Sequence, residues 1–205
     1  MPRRPRTAPR KKPRQGRSQA TVETILDATA RVLCTTGYDR ASTNRVALAA
    51  GVSVGSLYQY FPSKEALVAA LAARHMAKMT ALVRTKLAEV AAEPMPVAVR
   101  TIIGAMFEAH QVDPKLHKVL IEEVPRIGRL ENLRGVEKET ECLVAALLES
   151  RRSELRRSDT EVVAFMLVAA VEAVTHASVV AEHEPARARL VADELADLVL
   201  RYLVE

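Results

Sequence analysis

The sequence contains few aromatic residues and few glycines, and long stretches of it contain no proline. Its 205 residues include only three Phe, four Tyr, no Trp and seven Gly, while 49% are apolar. No proline occurs between Pro13 and Pro62 or between Pro125 and Pro185. Long stretches without helix breakers, rich in Ala, Leu, Val, Glu and Arg, predict an all-α protein with a core of its own.

Cysteine is scarce as well. Cys34 and Cys142 fit no metal or redox spacing, so we interpret them as small buried residues in a reducing compartment. No apolar segment follows the basic N-terminus, so we expect no secretory signal. Residues 162–181 are long and apolar enough to cross a bilayer, but Glu172 and His176 near their middle are costly there. We therefore expect a cytoplasmic protein with no membrane partner.

Residues 97–205 lack the patterns of a catalytic site. They contain no glycine-rich phosphate loop, no carboxylate pair at acid–base spacing and no nucleophile beside an evident base. We predict that the protein is not an enzyme and uses no cofactor. Glu172, His176 and His110 could together bind a metal, but such groups are more often satisfied buried hydrogen bonds or polar residues of a subunit interface. No metal site is predicted.

The positive charge is concentrated at the N-terminus. Residues 1–17 contain eight Lys and Arg and no acidic residue, which leaves residues 18–205 with a net charge of −3 out of the total of +5. Such an arm is either a disordered, solubilising tail or a segment that follows an anionic polymer such as DNA. The arm alone does not decide between these two interpretations.

Apolar periodicity and capping residues predict nine helices and no strand. Ser42, Ser53 and Ser63 are suitable N-caps, and Gly37 and Gly51 are suitable stops. The predicted helices span residues 19–36, 42–50, 54–60, 64–93, 97–111, 115–123, 131–152, 159–182 and 186–203.

The spacing within residues 42–61 is typical of two short helices joined by a tight turn. Ala47 is small where the helices cross, Gly51 lies where the turn needs a positive φ, and Leu57 fills the shared core. A helical hairpin in any all-α protein can show the same spacing. The capping serines, the short helices and the basic arm favour a DNA-binding helix-turn-helix.

A family resemblance rests on residues 42–71, which read STNRVALAAGVSVGSLYQYFPSKEALVAAL. They contain the pattern GVS-x-G-[ST]-LY-x-[YH]-F-x-[SN]-K-x-x-L, which resembles the DNA-binding signature of the tetracycline-repressor (TetR-type) transcriptional regulators. The resemblance covers residues 20–71, and beyond them only the number and length of the helices agree. After the disordered basic arm expected at 1–17, the resemblance implies a helix-turn-helix domain at 18–63 and a helical effector-binding and dimerisation domain at 64–205.

The resemblance also implies which residues contact DNA. Val54 and Gly55 at the start of the recognition helix cannot hydrogen-bond bases through their side chains. Gln59 or Asn44 would therefore pair with adenine, and the arm would supply affinity from the minor groove. The expected DNA contacts are Ser42, Thr43, Asn44, Arg45, Ser53, Val54, Gly55, Ser56, Tyr58, Gln59, Tyr60 and Lys64.

An aromatic triplet stands at the end of this recognition helix. Helical spacing predicts that Phe61 points inward with Leu57, whereas Tyr58 and Tyr60 lie on or near the outward side. The two tyrosine hydroxyls would donate to phosphate oxygens. Packing of either tyrosine between helices is the alternative, and it stays open.

For the larger domain the resemblance implies a four-helix bundle with a second subunit, built from the last two helices, and an effector pocket among helices four to eight. The apolar residues expected at this subunit interface are Phe165, Val168, Ala169, Val171, Val179, Leu190, Leu195, Leu198 and Leu203. A Met-rich, aromatic-poor lining suits a small apolar or amphipathic molecule, although an ordinary core is the more frequent role of each apolar residue. The candidate lining residues are Met76, Met79, Val83, Ile102, Met106, Phe107, His110, Ile121, Leu143, Leu147 and Phe165, with Glu172 and His176 as polar anchors.

Together with these patterns, the resemblance implies a dimeric transcriptional repressor that leaves a palindromic operator when its effector binds. A transcriptional activator or a ligand-independent regulator would carry the same features. A non-specific architectural DNA binder that relies on the basic arm is an alternative of another class.

Overall fold

The computed structural model describes residues 16–111, 113–127, 131–156, 158–181 and 184–204, with the side chains of 16–17, 121–127 and 131–137 left aside. Over these ranges the chain forms nine α-helices and one short 3-10 helix, and it forms no strand there. The all-α prediction is confirmed. The α-helices are α1 Gly16–Arg40, α2 Thr43–Ala50, α3 Val54–Tyr60, α4 Lys64–Glu89, α5 Met95–Gln111, α6 Pro114–Ile127, α7 Glu131–Ser150, α8 Thr160–Val180 and α9 Pro185–Val204; the 3-10 helix is Arg152–Glu154.

Helix α1 is longer than the predicted 19–36. Gly37 has φ 71° and ψ 171°, which interrupts the helix, and a further short stretch continues to Arg40. The positive φ is cheap only without a Cβ, so Gly37 marks the break that the sequence predicts. What the sequence does not predict is that the chain resumes a helical path after it.

The chain divides into two compact units. The first unit contains α1, α2, α3, the start of α4 up to His75, and α6. Helix α1 packs on α2, and α2 packs on α3. Leu57 and Phe61 are 0% and 2% exposed, which confirms the prediction that both point inward. The other large, fully buried apolar side chains of this unit are Ile25, Leu33, Val46, Leu67, Val68 and Leu71.

The second unit contains the rest of α4 from Met76, together with α5, α7, α8 and α9. Helix α5 packs on α9 and α8, and α7 packs on α8. Among the described residues, α5, α7, α8 and α9 all contribute to one apolar cluster. Its largest members are Met95, Val99, Ile103, Phe107, Leu148, Val163, Leu195, Val199 and Leu203.

Helix α4 ends at Glu89, earlier than the predicted residue 93. The chain turns after it, and the side chain of Arg151 binds the turn: Nη2 donates to the carbonyls of Val90 at 3.0 Å and Ala91 at 2.7 Å. Arg151 is only 8% exposed. A cation that binds the last carbonyls stabilises a helix C-terminus, so Arg151 acts as a cap from another part of the chain.

Other sequence predictions need smaller corrections. Helix α6 continues past Pro125 to Ile127 instead of ending at residue 123. Cys34 is half-buried and Cys142 is exposed, so the prediction that both are buried is wrong. Two described helices, Lys64–Glu89 and Thr160–Val180, are long and apolar enough to cross a membrane by length and composition, a test that the core helix of a soluble protein also passes.

Candidate nucleic-acid interface and effector cavity

Short-range hydrogen bonds cap the starts of α2 and α3. Ser42 Oγ accepts the N–H of Arg45 at 3.3 Å, and Ser53 Oγ accepts the N–H of Ser56 at 3.1 Å. Between them Gly51 adopts φ 66° and ψ 28°, the left-handed conformation that ends α2. The result is a helix of eight residues and one of seven joined by three residues, which is a helix-turn-helix.

The short helix α3 buries one side and exposes the other. Leu57 is fully buried, whereas Val54 is 38% and Tyr58 41% exposed, and Gly55 and Gln59 are also exposed. A Cβ added at Gly55 would find only Ser53 Oγ, at 3.9 Å. The outward side of α3 is therefore small and uncharged at its start and polar near its end, as the sequence predicts.

The two tyrosines of the triplet lie in different environments. The Tyr58 hydroxyl is 3.1 Å from Thr43 Oγ1, and both side chains have polar atoms at the surface. The Tyr60 hydroxyl accepts a hydrogen bond from Ser18 Oγ at 3.1 Å, and the ring is half-buried. Tyr58 is thus presented outward and links α3 to α2, while Tyr60 links α3 to α1, as the packing alternative describes.

Lys64 at the start of α4 is held in place by Tyr38. Its Nζ donates to the Tyr38 carbonyl at 3.0 Å and lies 4.0 Å from the centroid of the Tyr38 ring. Burial raises the pKa of neighbouring Glu65, but hydrogen bonds from its own backbone, Ser63 and Tyr38, together with the charge of Lys64, outweigh burial and lower that pKa overall. An ammonium has three donors, so Lys64 can still bind a phosphate.

Three arginines, Arg45 in α2 and Arg31 and Arg40 in α1, form hydrogen bonds in and around α2. Arg45 Nη1 donates to the Arg40 carbonyl at 3.0 Å, and Arg40 Nε donates to the Thr36 carbonyl at 3.0 Å. Arg31 Nη2 donates to the Ala49 carbonyl at 3.1 Å, near the C-terminus of α2. Sequence reasoning missed this role of Arg31, because nothing local in the sequence pairs it with α2.

The remaining predicted DNA contacts have varied exposure. Asn44 and Ser53 are exposed, whereas Ser42, Thr43 and Ser56 are half-buried. The basic arm, apart from residues 16 and 17 at the start of α1, lies outside the described residues.

The second unit contains a cavity of about 110 Å³ lined by α4, α5, α7, α8 and α9. Its lining is almost entirely apolar. Sequence reasoning missed Thr80 and Leu87, although they continue the helical stripe of Met76, Met79 and Val83 along α4 and could have been found by that period. The predicted residues that the structure brings together here are Met76, Met79, Val83, Ile102, Met106, Leu147 and Glu172.

Several predicted apolar lining residues lie elsewhere. Phe107 is buried in the core cluster, and Leu143 is half-buried outside the cavity. Phe165 is 58% exposed on α8 and does not reach the cavity. The side chain of Ile121 lies outside the described part of the chain.

The two predicted histidines lie together and outside the cavity lining. The rings of His110 and His176 are 5.3 Å apart between centroids, and His110 Nδ1 is 2.7 Å from the carbonyl of Met106. Burial lowers the pKa of His176 and so favours its neutral form. Glu172 is thus the member of the predicted polar anchors that lines the cavity.

Helices α8 and α9 expose an apolar face. Phe165, Leu190 and Leu198 are 58%, 66% and 60% exposed, as expected for residues that a second copy would cover. Three residues expected on this face are buried within the chain instead, namely Val179, Leu195 and Leu203. Val168 and Val171, also expected there, line the cavity. Exposed apolar residues that the sequence did not single out are Val162, Met166, Val180 and Val204.

Curated relatives match part of the chain. A nucleoid occlusion factor, SlmA from Glaesserella parasuis, is 33% identical over 84 residues, which are 41% of this chain and 40% of that protein. A transcriptional repressor, KstR from Mycolicibacterium smegmatis, is 32% identical over 117 residues, 52% of this chain and 56% of that protein. The chain therefore spans about half the length of the curated relatives it matches.

Solved structures match over nearly the whole chain. The fatty acid degradation regulator FadR from Bacillus halodurans superposes with a TM-score of 0.73 at 21% identity, covering 93% of this chain and 96% of that one. SmeT from Stenotrophomonas maltophilia, the repressor of the multidrug efflux pump SmeDEF, superposes with a TM-score of 0.67 at 22% identity, covering 91% and 92%. At these identities the likeness concerns the fold.

Family profiles match both functional regions. The profile described as "Bacterial regulatory proteins, tetR family" matches residues 25–71, which include the helix-turn-helix. The profile described as "Tetracyclin repressor-like, C-terminal domain" matches residues 94–203, more than half of the chain. With the capped helix-turn-helix and the nine-helix fold, these matches show that the chain belongs to the tetracycline-repressor family of bacterial regulatory proteins.

Proposed function

We propose that the protein is a homodimeric, sequence-specific transcriptional repressor that leaves a palindromic operator when a small apolar or amphipathic effector binds. Regulators of this family bind DNA and small-molecule effectors, act as dimers, and are cytoplasmic transcription factors rather than enzymes. The observation that carries the proposal is the geometry of α3, which buries Leu57 and exposes Val54, Tyr58 and Gln59 on the opposite side. When bound to its operator the protein would be associated with the nucleoid.

In this proposal, contacts to the DNA backbone position the protein and a few contacts to bases specify the sequence. Val54 presses on a thymine methyl group, and Gln59 or Asn44 makes a bidentate pair with adenine. The free N–H groups at the start of α2 bind a phosphate. The residues proposed for backbone contacts are Ser42, Thr43, Arg45, Ser53, Ser56, Tyr58, Tyr60 and Lys64, with Gly55 allowing close approach.

The exposed face of α8 and α9 supplies the dimer interface in this proposal. Two copies related by a two-fold axis would each cover Phe165, Leu190 and Leu198 of the other. An open groove beside Leu190 and Leu198 is bordered by Arg187 and Glu194, so the same patch carries both charges and can complement itself. A dimer places two recognition helices about 34–36 Å apart, one helical turn of DNA.

Helix α4 would couple the effector to the DNA. Met76, Thr80 and Val83 line the cavity, and earlier residues of the same helix belong to the unit that contains the helix-turn-helix. An effector that prefers another position of α4 would lower the population of the DNA-binding conformation. The proposal of a repressor and not an activator is supported by KstR and SmeT, because both of these proteins are named as repressors.

The first test is selection of bound fragments from a library of the host genome at near-physiological salt, followed by sequencing. The proposal expects a palindrome with half-sites one helical turn apart. Gln59→Ala should then weaken binding by about 1–3 kcal/mol and relax the preference at one position of each half-site. The exposed Glu154→Ala serves as the control. Bound fragments that share no motif would contradict the proposal.

Deletion of residues 1–15, which leaves α1 intact, distinguishes a sequence-specific repressor from a non-specific architectural DNA binder. A specific repressor keeps its operator preference and shows a shallower salt dependence, with the slope reduced by about 0.9 for each phosphate that the arm neutralises in the full-length protein. An architectural binder that relies on the arm loses nearly all of its affinity.

The dimer is tested by Phe165→Glu and Leu198→Glu in sedimentation equilibrium. Both are expected to yield folded monomers that bind the operator weakly, because each buries a charge in the interface. Leu48→Glu, at a position 85% exposed in α2, is the control that should remain dimeric. Dimers in all three variants would place the interface elsewhere.

A further inference from the structure

The cavity contains one ionisable group among the described residues that line it. That group is Glu172, which is half-buried on α8. The other polar lining residues are Thr80 and Thr140, and the Thr80 hydroxyl already donates to the carbonyl of Met76 at 3.1 Å. Of the described lining residues, none is Lys, Arg or His. The described lining of the cavity is therefore apolar except for two threonines and one carboxylate.

Two arginines of the second unit have partners of their own. Arg84 on α4 forms an ion pair with Glu139, and Arg151 is buried against the carbonyls that follow α4. His176 lies one turn beyond Glu172, and burial lowers its pKa, which favours the uncharged imidazole. Glu172 has an interaction of its own within the protein. A carboxylate has about four lone-pair sites, however, so it can accept a further donor from a ligand.

The volume of the cavity and the flexibility of its lining side chains set the size of ligand that it can bind. A dry protein cavity of about 150 Å³ holds benzene, and the cavity here is about 110 Å³. Four methionines, Met76, Met79, Met95 and Met106, belong to the lining. Because methionine side chains are unbranched and adapt their rotamers, the cavity can enlarge around one aromatic ring or a short aliphatic chain.

We propose that the ligand of this cavity is a small lipophilic amine, whose apolar body lies among the methionines and whose protonated nitrogen donates to the Glu172 carboxylate. A carboxylic acid of the same shape is excluded by repulsion from Glu172, and a neutral alcohol gains only an uncharged hydrogen bond. The role of this ligand as an effector rests on the proposed function, whereas its chemical class rests on the cavity alone.

The test is a methyl NMR titration of the full-length protein labelled with [methyl-13C]methionine. Three probes of one shape are compared: benzylammonium, benzyl alcohol and benzoate. The methyl groups of Met76, Met79, Met95 and Met106 report the cavity. Met166, which is 48% exposed on α8 and outside the lining, reports binding elsewhere. Benzylammonium is expected to shift the four cavity methyls with a Kd at least tenfold below that of benzyl alcohol, and benzoate is expected to bind most weakly.

Two variants assign the preference to Glu172. In Glu172→Gln the ratio between the Kd values of benzyl alcohol and benzylammonium should fall to about one, while benzyl alcohol still shifts the cavity methyls and so shows that the cavity is intact. Glu161→Gln, exposed on the same helix, should keep the wild-type ratio. The proposal is overturned if benzoate or benzyl alcohol binds as tightly as benzylammonium, if Glu172→Gln keeps the preference, or if benzylammonium leaves the cavity methyls unshifted.

Operator binding separates this proposal from the proposed function. If benzylammonium saturates the cavity but the affinity for the selected operator does not change, the ligand class stands and release by an effector fails. If benzoate shifts the cavity methyls and releases the operator, the repressor stands and the amine proposal is overturned.

Discussion

The two units of this protein fix their helix ends in different ways. In the first unit Ser42, Ser53 and Ser63 each accept the backbone N–H of a residue three positions later. In the second unit the end of α4 is bound by Arg151, which is 60 or more residues away in sequence. Local caps also occur there, as Asp159 shows at the start of α8, but the cavity helix α4 depends on a distant partner.

Local and long-range hydrogen bonds at helix ends suit different kinds of site. A surface that reads DNA needs short helices with fixed ends and outward side chains, and local hydrogen bonds supply these. A cavity needs several long helices whose apolar sides meet, and only contacts between distant segments supply that. Substitutions that remove one kind of contact should therefore have effects that differ between the units.

The largest effect is expected at the core beneath the recognition helix. Leu57→Ala removes a fully buried side chain and should reduce the free energy of unfolding by about 2–5 kcal/mol, because it leaves a cavity in the core. Leu48→Ala, at 85% exposure in the adjacent helix, should change it little. Chemical denaturation of both variants measures this. Equal effects would mean that the short helices are held by their caps and not by their core.

The distant cap is tested next. Arg151→Met should cost about 1–3 kcal/mol, because the carbonyls of Val90 and Ala91 lose their donor in a buried position. Arg152→Met is the matched control, since Arg152 is exposed and forms an i,i+3 ion pair with Glu149 at the surface. Denaturation monitored by circular dichroism distinguishes the two. If Arg152→Met proves as costly as Arg151→Met, the distant cap is unimportant.

A smaller effect is expected at the turn of the helix-turn-helix. Gly51→Ala should destabilise the protein by about 1–2 kcal/mol, because φ is 66° there and a Cβ makes the left-handed conformation unfavourable. Gly104→Ala, within α5 and with nothing within 4 Å of the added Cβ, should be neutral or stabilise by up to about 1 kcal/mol. Thermal melts provide the comparison. The same sign at both positions would disagree with the backbone geometry.

The smallest effect is a pH dependence from His176. Burial lowers the pKa of His176 in the folded protein, so below its ordinary value of about 6.5 the unfolded chain binds more protons than the folded one. The stability that depends on neutral His176 is thus present above that pH and lost as the pH falls. Unfolding free energies at several pH values between 5 and 8 should fall more steeply towards acid for wild type than for His176→Gln. Parallel curves would assign the dependence to other groups.

The predictability of the fold follows the same division. The sequence predicts the bounds of α2 and α3 to within one residue, because their caps lie within three residues of the groups they bind. It predicts the end of α4 too late, because Arg151 is invisible to any local pattern. The kink at Gly37 is visible as a stop, but the helical path beyond it depends on contacts that a single position does not reveal.

The sequence likewise predicts the two candidate sites unequally well. The outward side of α3 follows from the spacing around Leu57, whereas the sequence predicts the cavity lining only in part. Helix α8 is apolar on several sides, so periodicity does not tell which side faces the cavity. The sequence therefore assigns Phe165 both to the cavity lining and to the subunit interface, and in the structure it is exposed. The sequence leaves open whether Glu172 faces a cavity, the core or an interface, and in the structure it lines the cavity.

The open space at Gly55 has a consequence for how this protein can change. A Cβ at that position would have no neighbour closer than Ser53 Oγ at 3.9 Å. The position is on the outward side of α3, whereas Leu57 packs into the core on the opposite side. New residues can be introduced there without repacking the scaffold. Duplicated genes, or a laboratory library at position 55, can thus vary the surface of α3 that we propose to contact DNA, by single substitutions that leave the fold and the cavity of the second unit unchanged.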